Sequence, residues 1–76
     1  MEKIYEILTE LRPENDFKSS DDFIFDGFLD SFDIISLVSE VEERFNILID
    51  ALDILPENFS SVKAIANVIS KNGGTV

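Results

Sequence analysis

Gly27-Phe28-Leu29-Asp30-Ser31-Phe32-Asp33-Ile34-Ile35-Ser36-Leu37-Val38 is the stretch that decides how this chain folds. Up to Asp30 it reads as loop, because Gly27 interrupts any regular period. From Ser31 it reads as helix. Ile34, Leu37, Val38, Val41 and Phe45 recur at helical spacing and form one apolar stripe. Such a start needs a cap for its free N–H groups. Asp30 or Ser31 can supply it, and Asp33 suits the positive end of the helix dipole. Asn46 can end the helix, since asparagine tolerates the left-handed conformation. Phe32 and Ile35 lie off the stripe, where a purely structural helix more often carries polar residues.

Upstream, residues 13–30 are expected to form a long loop. It opens with Pro13-Glu14-Asn15-Asp16, passes through Ser19-Ser20-Asp21-Asp22 and bends at Gly27. A loop this long in a small domain tends to be functional. Phe17, Phe23, Ile24, Phe25, Phe28 and Leu29 are expected to pin it over the helices and complete a thin core. Before it, Ile4, Ile7, Leu8 and Leu11 mark a helix that Pro13 ends at about Arg12. Glu2 and Arg12 complement the two ends of that helix's dipole.

Downstream, residues 50–55 suit one or two short turns ahead of Pro56. A last helix is expected from about Ser61 to Asn72, with Val62, Ile65, Ala66 and Ile69 as its stripe and Gly73 beyond it. Residues 73–76 are expected to fray. There is no repeat and no strand alternation. The expected fold is all-α: a small four-helix bundle of three main helices and one short one, with a long first loop, in one domain over residues 1–76.

Composition narrows the function. The chain has 76 residues and neither Cys nor His. Disulfides are excluded, the soft metal ligands are missing and the common nucleophile–base pairs cannot form. Stability must come from close packing, which the seven Phe can supply. Sixteen Asp and Glu face six Lys and Arg, a formal net charge of −10. That surface repels nucleic acid and anionic lipid, and attracts basic protein surfaces. The Met1-Glu2-Lys3-Ile4 start carries no apolar signal segment, and no apolar run approaches the roughly 20 residues that span a bilayer. A soluble cytoplasmic protein without membrane insertion is expected.

The run from Gly27 to Val38 resembles the prosthetic-group attachment segment of acyl carrier proteins, in which an Asp-Ser-Leu triplet opens the second helix. Glu42-Glu43-Arg44-Phe45-Asn46-Ile47 is similar to that family's acidic helix end, and Leu55-Pro56-Glu57-Asn58-Phe59 to the segment before its last helix. The resemblance implies that Ser31 receives 4′-phosphopantetheine from coenzyme A. The arm's thiol, not a side chain, then carries an acyl or aminoacyl thioester, in lipid or secondary-metabolite biosynthesis. The chain itself is not an enzyme on this reading and needs no metal. The implied partners are a phosphopantetheinyl transferase, an acyl- or aminoacyl-activating enzyme and downstream acyl-transferring enzymes with basic docking surfaces. The implied recognition residues are Asp30, Phe32, Asp33, Ile35, Glu40, Glu42 and Glu43, on a monomer.

Each has a plainer role too. Ser31 serves equally as a helix cap, Asp30 and Asp33 as dipole complements, Phe32 and Ile35 as core, and the three Glu as a solvated face. Phe32 stands where fatty-acid carriers usually have Leu, and Ser36 and Ser39 replace positions that are often Glu and apolar. The segment resembles stand-alone carriers of amino-acyl or specialised acyl groups, the D-alanyl carriers among them, more than peptidyl carrier domains. Two rivals stand beside this reading. An acidic adaptor domain has the same charge and no use for Ser31. A calcium loop would use Asp22, Asp26, Asp30 and Asp33, but Ile24 falls where a side-chain ligand is required and Asp33 where a bidentate Glu belongs.

Overall fold

Three α-helices carry the fold: α1 over Glu2–Leu11, α2 over Ser31–Phe45 and α3 over Val62–Lys71. The computed structural model describes every residue from Met1 to Val76. Each helix buries most of the stripe its spacing predicts, with Leu11 and Phe45 at the helix ends half-buried. Ile4, Ile7 and Leu8 of α1 are fully enclosed, as are Leu37 and Val41 of α2 and Ile65 and Ile69 of α3. Val68 widens the α3 stripe beyond the expected set. The α1 helix packs chiefly on α2, and α3 packs on α1 and on the turn that precedes it. The expected ends hold: Arg12 closes α1 just before Pro13, and Asn46 ends α2 in the left-handed region at φ 54°.

The short fourth element takes the form of two 3₁₀ turns, Ala51–Asp53 and Pro56–Phe59. Pro56 explains the division. The residue before a proline avoids the helical region, and Leu55 is extended at φ −123° and ψ 143°. The second turn contacts both α2 and α3 and places Phe59 wholly inside.

Asp53 holds the first turn to α3. It is buried, and Lys71 Nζ donates to its Oδ1 at 2.7 Å. That hydrogen bond is the main reason its carboxyl lies below the ordinary value, with the Asn72 side chain and the Lys71 charge adding to it. The sign of the pH dependence follows. A depressed carboxyl stabilises the fold above its unfolded value of 3.8, and the contribution fades as pH falls through the folded one. Asp53→Asn should therefore melt below the native chain at neutral pH, and the two should converge in acid. Thermal melts from about pH 7 down to about pH 2 measure this; a gap of constant size would rule out the ion pair as its source.

The long loop is more ordered than a bare connector. A 3₁₀ turn covers Phe17–Ser19, and a second bend covers residues 22–28. Gly27, at φ 75°, reverses the chain so that Phe28 and Leu29 both donate their N–H to the Phe23 carbonyl, at 2.8 and 3.2 Å. Phe23 N–H donates to Ser60 O at 2.7 Å, tying the loop to the second half of the chain. Phe17, Phe23 and Leu29 are buried and Phe28 and Ile24 partly so, as expected. Phe25 departs from expectation, at 87% exposed. Its N–H donates to Asp22 Oδ1 at 3.0 Å in a tight turn that leaves the ring outside.

The tail also differs. Gly73 N–H donates to Ser70 O and Gly74 N–H to Ile69 O, the paired bonds of a left-handed helix cap, with Gly73 at φ 90°. Residues 73 and 74, expected to fray, thus belong to the end of α3. No helix is long and apolar enough to cross a membrane.

Candidate functional site

The loop meets α2 at Asp30, whose extended backbone and side chain make it the N-cap. Asp30 Oδ1 accepts from Asp33 N–H at 2.9 Å, and Asp33 Oδ2 accepts in return from Asp30 N–H at 3.1 Å. This reciprocal pair is a capping box, with Asp in place of the more usual Glu. The sequence leaves the cap open between Asp30 and Ser31; the structure gives it to Asp30. Ser31 is thereby released from capping. It is exposed in the first turn of α2, and its hydroxyl makes no hydrogen bond within the protein.

One cation organises this end of the helix. Arg12 Nε donates to both Asp33 oxygens, at 3.1 and 3.0 Å. Its outer nitrogens stand 3.7 Å from Asp30 Oδ2 and 3.6 Å from Glu14 Oε2. The Asp33 hydrogen bond and charge raise the Arg12 pKa further above its already high value. Asp30 is lowered, first by the Asp33 N–H and also by the Arg12 charge. The site's acidity is therefore partly internal. Arg12, which reads in the sequence only as a dipole complement to α1, proves to be its anchor.

The expected recognition residues divide. Ser31, Phe32, Ile35, Ser36, Ser39 and Glu43 are all exposed along α2. Phe32 at 80% and Ile35 at 65% exposure rule out the core role for both. Asp30 keeps its carboxylate mostly in solvent, at 63% side-chain exposure, and Glu40 is half-buried. Asp33 and Glu42 depart from the expectation of a free acidic surface. Asp33 is buried, with both oxygens engaged, because Arg12 draws it inward. Glu42 is half-buried, and its Oε2 accepts from Ile49 N–H at 2.9 Å, which holds the chain after α2. Leu48 and Leu52, both more than four-fifths exposed, carry no signal in the sequence that marks them out.

The calcium-loop alternative fares poorly on geometry. Asp22 accepts from Phe25 N–H, Asp26 from the Ser20 hydroxyl, and Asp30 and Asp33 bind each other's backbone. These four carboxylates do not form a group that could hold a metal ion.

An unengaged hydroxyl in the first turn of a helix suits covalent attachment of a phosphorylated group. An incoming donor can reach it, and the helix end favours the resulting anion. The match to known proteins agrees with that chemistry. Residues 2–69, nearly the whole chain, match the family described as the phosphopantetheine attachment site. The chain belongs to that family. It is a phosphopantetheine carrier, and the covalently attached arm, not a set of catalytic side chains, supplies the reactive thiol. Searches of curated proteins and of solved structures each return no significant match.

Proposed function

We propose that this carrier holds an acyl or aminoacyl group as a thioester on 4′-phosphopantetheine attached at Ser31, and presents it to partner enzymes in the cytoplasm. The observation that supports Ser31 is its hydroxyl: exposed, unbonded and in the first turn of α2, while the neighbouring Asp30 and Asp33 do the capping. The chain contributes the nucleophilic oxygen and the frame that holds it. The transferase must supply the base that takes its proton, while the diphosphate linkage of coenzyme A breaks and adenosine 3′,5′-bisphosphate leaves.

Partner enzymes then meet the arm's surroundings. Phe32 and Ile35 give an apolar contact beside the attachment point, and Asp30, Glu43 and Glu40 give it an acidic border. A basic surface with an apolar centre complements it, and transient docking requires that the contact stay small. Asp33 and Glu42 support this surface from behind.

Intact-mass spectrometry tests the attachment. The chain is incubated with coenzyme A, Mg²⁺ and a broad-specificity phosphopantetheinyl transferase. The native chain should gain one arm and Ser31→Ala none. No gain with any of several transferases would favour the acidic adaptor instead. Fragmenting the loaded arm from native cells would then tell an acyl from an aminoacyl cargo.

A further inference from the structure

Arg12 has more capacity than its partners use. A guanidinium carries five N–H donors. The Nε donor is bound by Asp33, but the four on Nη1 and Nη2 make no hydrogen bond. Glu14 and Asp30 stand beyond hydrogen-bond reach of them, at 3.6 and 3.7 Å, and the side chain is 38% exposed.

The charged groups that meet Arg12 at this end of α2 are all negative. Asp30 precedes Ser31, Asp33 follows two residues later, and Glu14 lies on the far side of Arg12. A phosphodiester there adds a further negative charge. The helix end offsets part of the repulsion, but the capping carboxylates already occupy the Asp30 and Asp33 N–H groups. Lys18 pairs with Glu2, Arg44 with Glu10 and Lys71 with Asp53, and Lys3 lies over the Phe45 ring; Lys63 makes no ion pair and has no bond to either capping aspartate. Arg12 alone joins the two residues that flank the serine.

We infer that Arg12 is the chain's own counter-cation for the phosphodiester formed at Ser31: Nε stays on Asp33 while the free Nη donors serve the new anion. The inference rests on Ser31 as the attachment point. It makes Arg12 a positioning residue that keeps the first turn of α2 intact when the arm is added, and that fixes where the arm leaves the surface.

The test compares melting temperatures with and without the arm in the native chain, Arg12→Lys and Arg12→Gln. Each modified sample is checked for mass and for Ser31 as the site. A purely structural role lowers the modified and unmodified forms of a variant equally. A counter-cation role lowers the modified form more. At low salt, Arg12→Gln should show a modified-minus-unmodified difference about 3 °C below the native one. Arg12→Lys, which keeps the charge but loses the fork, should restore most of that difference although both its forms melt lower. About 0.5 M NaCl should shrink the contrast by screening. Should unmodified Arg12→Gln fail to fold, a neutral osmolyte supplies a folded baseline. Equal differences in native and Arg12→Gln at low salt would overturn the inference and leave Ser31 standing. A missing arm, or one at another residue, would instead bring down the Ser31 reading itself.

Discussion

Phe23→Ala should lower the melting temperature by on the order of 20 °C, the largest effect of any single truncation in the loop. Phe23 is 1% exposed, and its ring meets Phe17 edge-on at 5.0 Å; Phe17 in turn meets Phe28 at 5.6 Å. Removing a buried Phe costs about 3–5 kcal/mol, lost edge-to-face contacts included. A domain of this length has only about 4–11 kcal/mol in total. The consequence reaches the site. Phe23 O accepts the N–H groups of Phe28 and Leu29, which lead directly into Asp30, and Phe23 N–H binds Ser60. A loop without this ring loses its anchor to the core, and the capping box loses a fixed approach. Phe25→Ser is the control, because the ring it removes is almost wholly in solvent. That change should fall within about 0.5 kcal/mol of the native chain. Urea unfolding of both variants measures the contrast. Similar losses in the two would mean that the loop's aromatic cluster does not hold it down.

The contrast between these phenylalanines also shows what a sequence conceals. On α1, α2 and α3 a helical period states which residues face inward, and Ile4, Leu37 and Ile65 are where it puts them. Residues 13–30 have no period. No period distinguishes Phe23 from Phe25: Phe23 N–H is tied to Ser60 O, remote in the chain, while a turn capped by Asp22 leaves Phe25 outside. The helix start at Asp30 and Ser31 was legible because capping chemistry is local, and Ser31 stood out as the proposed attachment point because the surrounding run resembles a known family. Arg12 was not. Its partner Asp33 is 21 residues away, a separation that no helical or turn rule connects. For the same reason the sequence could not tell which of the aspartates around Ser31 would stay in solvent. Local pattern placed both on the surface, and a contact between α1 and α2 withdrew one of them.

Asp33→Ala should accordingly behave as a stability mutation, not as a loss of a partner contact. The side chain accepts from Arg12 Nε and from Asp30 N–H while nearly enclosed. Its removal deletes half of the capping box and the inner anchor of Arg12. A lost cap and the lost charge-assisted bonds together predict about 2 kcal/mol, or a melting temperature lower by on the order of 10 °C. Asp33→Asn should recover part of this, because one amide oxygen can still accept but cannot satisfy both donors as a carboxylate does. Asp30→Ala presents the opposite balance. It loses the N-cap, which lowers stability. But the carboxylate it removes is largely in solvent and makes no hydrogen bond to Arg12, so it should disturb melting less than Asp33→Ala and reduce the rate of arm transfer more, once rates are compared between equally folded samples. The deciding measurement pairs calorimetry with transferase kinetics for the three variants. If Asp33→Ala melted like the native chain yet weakened transferase binding, the inward carboxylate would have to be a docking group after all. Otherwise the division of labour stands: Arg12 holds Asp33 inside, while Asp30, Ser31, Phe32 and Ile35 stand outside at the start of α2.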